Sequence, residues 1–246
     1  MSISLIIPVF NTSKSSFSNC LQSIVSAKKY CKPNYNFEVI IVDDGSIINY
    51  NDLLSSVEKD LRINYIKLVN NKGRSYARNV GIDSSSSLYI TFLDSDDELV
   101  IDYFFKINKY YNIITKNFIT TFGYYINNIP ILRPISFRNF KPIEFINYHF
   151  FCTNSIFIVR EILIENKFDE NISFGEDLKL WNLLINKFNG MHLNLPISIY
   201  KYDFKTYNTS KEQKLVLVFA KKLKYYIKFR YYGLLFKTKI ITKILY

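Results

Sequence analysis

Glycine and cysteine are scarce in this 246-residue sequence, which also lacks any apolar stretch long enough to cross a membrane. There are 7 glycines and 3 cysteines, and Cys20, Cys31 and Cys152 form no Cys-x-x-Cys pair. An odd, unpaired set favours neither a disulfide framework nor a zinc site. A membrane-spanning helix needs about 20 apolar residues, and the early run ISLIIPVF is too short for a signal peptide. We therefore expect a cytoplasmic protein with reduced thiols.

The positive charge is concentrated near the end of the sequence. The net charge is +11, with 48% hydrophobic and 22% charged residues, a composition typical of folded proteins. Residues 211–246 contain ten basic residues and one acidic residue, a net charge of +9. We predict one domain over residues 1–210 and a basic, aromatic helical tail over 211–246. Such a tail suits the anionic inner surface of a membrane, which makes the expected location cytoplasmic or peripheral.

Strands and helices alternate over the first 100 residues. Four short apolar segments predict strands: SISLIIPVF, FEVIIVD, INYIKLV and SLYITFLD. The sequence between these segments has the periodicity of helices. Strands that are apolar throughout indicate a parallel sheet covered on both faces, so the fold class is α/β. Further on, LVIDYFFKINKYYNII and FGEDLKLWNLLINKF predict helices, and FITTFGYYI and SIFIV predict strands.

Acidic residues follow two of the predicted strands. Asp-Asp-Gly-Ser occupies residues 43–46, and residues 94–98 read Asp-Ser-Asp-Asp-Glu. Ligands of parallel sheets bind at the carboxyl ends of the strands, where we expect these loops to converge. Neighbouring carboxylates repel one another unless water, protonation or a cation relieves them. One such loop would be an ordinary solvated turn, whereas two at the same edge favour a site.

Several motifs together resemble the family 2 glycosyltransferases, which have the GT-A nucleotide-diphosphosugar fold. In chain order these are IIPVFN at 6–11, VIIVDDGS at 39–46, NKGRSYARNVG at 71–81, FLDSDD at 92–97 and KFDENISFGEDLKLW at 167–181. The resemblance implies inverting, metal-dependent transfer of a sugar from a nucleotide diphosphate, UDP above all, to a glycan or lipid-linked glycan. Surface polysaccharide or lipooligosaccharide synthesis is the implied setting.

The resemblance assigns the acidic loop to a metal ion. It implies that Asp96 binds Mn²⁺ or Mg²⁺ and that Asp94 faces the ribose or the metal. A divalent cation would explain the cluster, because it is held by carboxylates on one side and by the diphosphate on the other. Asp97 is expected to have a supporting role.

The donor residues implied by the resemblance lie in the first half of the domain, residues 1–100. Pro8 and Phe10 match the pocket under the base, where an aromatic ring can stack, although Phe10 could equally be a core residue. Asp44 matches the acceptor of a hydrogen bond from the nucleobase, and Asp43 is expected to brace the end of its strand.

The segment that opens the third predicted helix supplies the remaining donor residues. Gly73 leaves the backbone free to approach a ligand or to adopt a positive φ. Arg78 is expected to reach the diphosphate or, in the alternative, to hold the acidic loops through a salt bridge. Arg74 shares its helix face and is a weaker candidate for the diphosphate.

The acceptor half is expected over residues 101–210. The resemblance implies that Asp177 is the general base and that Glu176 orients the acceptor or the base, although acidic residues also simply stabilise a helix N-terminus. Trp181 is expected in the core rather than in the acceptor pocket. The segment 200–211 resembles the part of the family fold that covers the diphosphate, with Lys205 and Lys211 as candidates for that contact and Asp203 as a candidate further metal ligand.

Two other classes of protein share single features with this sequence. Haloacid dehalogenase-like phosphatases also use Asp-x-Asp, but they place it after the first strand rather than the fourth. The basic tail could instead belong to a nucleic-acid- or membrane-surface-binding protein with a non-catalytic nucleotide-sugar fold. That alternative leaves the acidic crevice unexplained, so no nucleic acid is expected as a partner.

Overall fold

Ten strands form one sheet in the computed structural model, which describes residues 1–127, 129–131, 138–139, 152–173, 175–188 and 190–201. The order across the sheet is β3-β2-β1-β4-β9-β6-β10-β5, with β7 added to β6 and β8 added to β10. The strands are β1 Ser2–Val9, β2 Asn36–Asp43, β3 Ile63–Lys67, β4 Tyr89–Phe92, β5 Glu98–Leu99, β6 Ile119–Ile126, β7 Ile129–Ile131, β8 Arg138–Asn139, β9 Ile156–Val159 and β10 Gly190–Tyr200.

Helices cover the sheet, and their bounds follow the predicted pattern closely in the first half. They are α1 Lys14–Lys28, α2 Asn51–Val57, α3 Arg74–Ser84, α4 Tyr103–Lys109, α5 Tyr111–Ile114, α6 Arg160–Glu165 and α7 Glu176–Lys187, with a 3₁₀ turn at Thr153–Ser155.

The sheet is mostly parallel, as predicted. β1 pairs in parallel with both β2 and β4, so Val9 is level with Asp43, and Ile6 is level with Phe92. β9 is antiparallel to β4 and to β6. Because of these two reversals, β6 and its parallel neighbour β10 run in the same direction as β1. The chain moves from β1 outward to β3 and then crosses to β4 on the other side. That reversal of strand order creates a crevice at the carboxyl end of β1.

Each face of the sheet has its own hydrophobic core. Leu5 and Ile7 point from β1 into the core that includes the buried face of α1. Ile6 points the other way, into the core that α3 and α7 share. Alternation of side chains along a strand requires this division. Gly81 lets α3 lie close to β1, because a Cβ there would be 2.4 Å from Ile6 Cγ2.

The second half departs from the sequence-based prediction in its details. The helix expected over 99–114 is two short helices, and residues 98–99 belong to a strand instead. β10 and α6 were missed. The pairing of β10 with β6 shifts register on both sides of Pro196, which interrupts the apolar alternation. α6 has only six residues, too few to show a helical period.

The remaining expectations concern parts of the chain that the structure does not describe. Residues 1–201 cluster as one compact unit, whereas Asp203, Lys205 and the tail over 211–246 lie outside the described residues. Within the described ranges, no helix is both long enough and apolar enough to span a bilayer.

Candidate active site

The loops that follow β1, β2 and β4 are hydrogen-bonded to one another. The Asn11 amide N–H donates to Ser46 Oγ at 2.9 Å, and the Ile47 N–H donates to Asn11 Oδ1 at 2.9 Å. The hydroxyls of Thr12 and Ser95 are 2.6 Å apart. These contacts bring the three loops to one edge of the sheet, where the sequence predicted that they would converge.

A cleft of about 620 Å³ opens between these loops, the start of α3 and residues 170–173. Seven of the candidate residues named from the sequence line it: Pro8, Phe10, Asp44, Gly73, Arg74, Asp94 and Asp96. Phe10 is 49% exposed, so it has the position of a pocket residue and not that of a core residue. Gly73 adopts a φ of +95° as the cap of α3, which is the backbone conformation that the sequence anticipated there.

Asp44 has a structural task that the sequence did not suggest. Its Oδ1 accepts from the Lys72 N–H at 2.8 Å, and its Oδ2 accepts from the Gly73 N–H at 2.8 Å and from Asn71 Nδ2 at 3.0 Å. Burial raises the pKa of Asp44, and the backbone donors oppose that rise. A carboxylate has about four acceptor positions, so three hydrogen bonds leave one position for a ligand.

Asp43 braces the end of β2. It is fully buried, and its Oδ1 accepts from the Ser46 N–H at 2.8 Å while its Oδ2 accepts from the Tyr65 hydroxyl at 2.6 Å. Of the two adjacent aspartates, Asp43 is therefore turned into the fold and Asp44 towards the cleft.

In the acidic loop after β4, one carboxylate likewise faces the cleft and another is buried in the fold. Asp96 is exposed to the cleft, and partial burial together with the charge of Asp94 raises the pKa of Asp96. Asp97 is 0% exposed and accepts from Asn154 Nδ2 and, at 2.7 Å, from the Lys201 N–H. Asp97 is thus a support within the fold.

Asn154 is a residue that sequence reasoning missed. Its side chain is buried, and besides donating to Asp97 it accepts from the Asp94 N–H through Oδ1 at 2.9 Å. One amide therefore fixes two residues of the acidic loop. An Asn in the segment CTNS carries no local signal, because its partners are 57 and 60 residues away in the sequence.

Arg78 forms the salt bridge that the sequence offered as the alternative to diphosphate binding. It is 2% exposed, with Nη2 2.8 Å from Asp94 Oδ1 and Nη1 2.9 Å from Glu176 Oε1. Its neighbour Arg74 lines the cleft with a side chain that is 57% exposed. The geometry therefore corrects the order of the two candidates, since Arg74 is the arginine that a ligand in the cleft could reach.

The start of α7 holds the two residues assigned to the acceptor. Glu176 was expected to orient the acceptor or the base, and it is buried in an ion pair with Arg78, with Arg74 Nε 3.5 Å away. Asp177 is partly exposed, and its Oδ2 accepts from the Thr153 hydroxyl at 3.0 Å. Trp181 is buried against Phe92 and is a core residue, as expected.

The residues at the cleft fit a divalent cation of the hard, oxygen-binding kind. No group of three or more His, Cys, Asp or Glu is arranged for a metal within the described ranges, so an all-protein cage is not found there. Asp94 and Asp96 both line the cleft from one loop. Mg²⁺ is typically held by one or two carboxylates with water and substrate phosphates completing its shell, which is the donor set that this loop can offer.

A mostly parallel sheet with a polar cleft at its switch point defines the class of α/β proteins whose ligands bind beside the carboxyl ends of the strands. The family model described as Glycosyl transferase family 2 matches residues 4–165, more than half of the chain. The chain therefore belongs to glycosyltransferase family 2, and the resemblance drawn from its motifs is confirmed.

Individual relatives agree with this assignment. An uncharacterized glycosyltransferase of Rickettsia bellii is 33% identical over 186 residues, which cover 73% of this chain and 26% of that protein. The chain thus spans about a quarter of the length of that relative. An Escherichia coli protein named UDP-Glc:alpha-D-GlcNAc-diphosphoundecaprenol beta-1,3-glucosyltransferase WfaP is 27% identical over 221 residues, covering 87% of this chain and 82% of WfaP.

A solved structure confirms the GT-A fold. Staphylococcus aureus TarS, residues 1–349, in complex with UDP, superposes with a TM-score of 0.68 at 17% identity. The match covers 82% of this chain and 61% of the TarS chain. At this level of identity the likeness establishes the architecture alone.

Proposed function

We propose that this protein transfers a sugar from a UDP-linked donor to a hydroxyl group of a glycan or lipid-linked glycan, with Mn²⁺ or Mg²⁺ as cofactor. The observation that supports the proposal is that Asp94, Asp96 and Arg74 line the same cleft. Carboxylates alone would repel a diphosphate, whereas a cation held by them and an exposed arginine would attract it. Family membership supports the reaction class.

The nucleotide is proposed to occupy the end of the cleft nearest β1 and β2. Phe10 offers an exposed ring on which a base can stack, with Pro8 beside it in the lining. The free acceptor position of Asp44 suits the imide N–H of uracil. Gly73 is expected to let the ligand approach the backbone at the start of α3.

The diphosphate end is proposed to lie at the acidic loop. Asp96 is assigned as the metal ligand, and Asp94 faces the ribose or the metal. When bound, the cation would supply Lewis acidity at the departing diphosphate. Arg74 would add positive charge from the wall of the cleft, since its side chain is largely exposed there.

Asp177 is proposed to act as the general base. Its carboxylate is oriented by two donors, the Thr153 hydroxyl at 3.0 Å and the Leu178 N–H at 2.7 Å. It would take the proton of the acceptor hydroxyl, whose oxygen forms the new bond to the anomeric carbon as the bond to the diphosphate breaks on the opposite side. The configuration at that carbon would be inverted.

The acceptor is proposed to be a lipid-linked glycan of surface polysaccharide synthesis. WfaP, whose name gives a diphosphoundecaprenol-linked acceptor, supports this choice. The acceptor half over 101–210 and the tail over 211–246 would then work at a membrane, with the basic tail at its anionic surface. Co-sedimentation with anionic vesicles, released by salt and lost on truncation at residue 211, is the expected result. Equal binding to neutral vesicles would contradict it.

A panel of UDP- and GDP-sugars tests the reaction class. We expect slow release of UDP from one UDP-sugar, dependent on Mn²⁺ or Mg²⁺ and abolished by chelation. Release that is unaffected by chelation would contradict the assignment of the metal. Tight binding of UDP without release from any sugar, with and without glycan acceptors, would favour the non-catalytic alternative.

A further inference from the structure

One buried cation connects the two halves of the site. Arg78 of α3 donates through Nη2 to Asp94, which follows β4, and through Nη1 to Glu176, which begins α7. Among the lysines and arginines of residues 1–127, 152–173, 175–188 and 190–201, Arg78 is the only one that is buried. Asp94 and Glu176 are 82 positions apart in the sequence, so this guanidinium is a direct physical link between the donor loop and the helix that carries Asp177.

Further contacts hold Arg78 and Asp94 in place. A guanidinium is planar and presents its donors in a fixed fork, which sets the direction as well as the distance of its partners. The ring of Phe168 lies 5.3 Å from the guanidinium carbon and supports it from one side. Asn154 Oδ1 accepts a hydrogen bond from the Asp94 N–H at 2.9 Å. Asp94 is therefore fixed at its backbone and at its carboxylate.

Arg78 remains protonated and positively charged. Burial acts to lower its pKa, but the charges of Asp94, Glu176 and Asp177 outweigh burial and raise the pKa above its ordinary value. A buried ion pair is strongly sensitive to the removal of one partner, since the other charge is left without compensation.

We propose that Arg78 is a positioning residue for the donor, and that Glu176 acts by holding Arg78 rather than by touching the acceptor. Arg78 aims the carboxylate of Asp94 at the ribose or the metal from behind the cleft. This inference rests on the proposed function, because the aim of Asp94 matters only if the cleft binds a nucleotide. It also replaces the role that the sequence assigned to Glu176.

Calorimetric titration of UDP into the full chain with MnCl₂ tests this inference without knowledge of the sugar or the acceptor. The variants are Arg78→Lys, which keeps the charge and loses the fork, Glu176→Gln, which keeps an acceptor oxygen, and the double variant. Lys179→Met is the control, because it removes an exposed ion pair from the same helix as Glu176. Circular dichroism selects a temperature at which every variant is folded.

We expect Arg78→Lys to weaken UDP binding by about 10–100-fold, the range for a residue that orients a ligand-binding group. Glu176→Gln should also weaken UDP binding. The double variant should be no weaker than Arg78→Lys, because residues that act through one another are not additive. Lys179→Met should bind UDP as the unmodified protein does.

The outcomes separate this inference from the proposed function. An unmodified protein that binds no UDP in the presence of MnCl₂ would overturn the proposed function. Normal binding by folded Arg78→Lys would overturn the positioning role alone, and additive losses in the double variant would show that Glu176 does not act through Arg78. If Arg78→Lys does not fold, Glu176→Gln decides, since unchanged UDP affinity in that variant also overturns the inference.

Discussion

The two halves of the described domain build the cleft by different means. In the first half, short polar side chains such as Asn11 and Thr12 join successive loops that the strand–helix repeat has already brought together. In the second half, single buried groups reach back across the fold, as Asn154 does to the acidic loop and Glu176 does to Arg78. The first half therefore shapes the cleft, and the second half fixes where its charges point.

This difference separates binding groups from supporting groups. Asp96 and Phe10 are exposed at the cleft, so their replacement should change function and leave the fold intact. Asn154 and Asp97 are buried, so their replacement should change stability first. Substitutions at exposed and at buried positions therefore test that division.

Asp96→Ala should have the largest effect on activity. Loss of the proposed metal ligand removes several kcal/mol of charge stabilisation, so metal-dependent turnover should fall by about 10³-fold or more. The melting temperature should not fall, because Asp96 is exposed. Turnover and thermal unfolding are measured on the same preparation. Asp52→Ala, at a side chain that is 96% exposed, is the control, and near-normal metal-dependent turnover of Asp96→Ala would refute the metal assignment.

Asp177→Asn should follow. It keeps the shape of the side chain but removes the proton acceptor, so transfer should fall by about 10²–10⁴-fold while UDP affinity is unchanged. Initial rates and UDP titrations distinguish the two quantities. Asp169→Asn is the matched control, as its carboxylate pairs with Lys179 at 2.6 Å outside the proposed machinery. A parallel loss of UDP affinity would place Asp177 in the nucleotide site or in folding.

Asn154→Ala should act mainly on stability. It leaves the buried carboxylate of Asp97 with one donor fewer and the Asp94 N–H without its acceptor, at a cost of about 1–3 kcal/mol for a buried group left unsatisfied. Urea denaturation measures the change in the free energy of unfolding, provided that the m-value is the same in both proteins. Asn112→Ala, at an exposed position of α5, should change it little. Equal midpoints for both variants would mean that the second half does not hold the acidic loop as described.

Lys179→Met should have the smallest effect. The pair between Lys179 and Asp169 is short, at 2.6 Å, but the lysine side chain is 60% exposed, and exposed pairs contribute about 0–1 kcal/mol. Urea unfolding should therefore give a change below about 1 kcal/mol, reduced further by salt. A loss as large as that of Asn154→Ala would contradict the contrast between surface pairs and buried groups.

Sequence patterns were most informative where the structure repeats. Strands β1 to β4 and helices α1 to α3 were predicted, because these strands are largely apolar and these helices have an apolar face. The same regularity predicted that the loops at 43–46 and 94–98 would meet. Beyond residue 100 the repeat ends, and β10, with its register shifts around Pro196, carries no comparable period.

Side-chain direction within the site was harder to predict than its composition. Asp43 and Asp44 are adjacent and identical in kind, yet one is turned into the fold and the other towards the cleft. Arg74 and Arg78 share a helix face, but only Arg78 lies where α7 and the acidic loop cover it. Burial of this kind depends on which distant segment packs on the residue, and local sequence does not record that.

The sequence by itself determined the α/β class, the edge of the sheet at which the site lies and the family, because strand periodicity and short motifs are local properties. Only the tertiary structure decided that Asn154 supports Asp97, that Arg78 is internal and that Glu176 is its partner. These roles come from contacts between residues about 60 to 100 positions apart. A buried charge is oriented by its hydrogen-bond and ion-pair partners, and in these two cases the partner is supplied by a distant part of the chain.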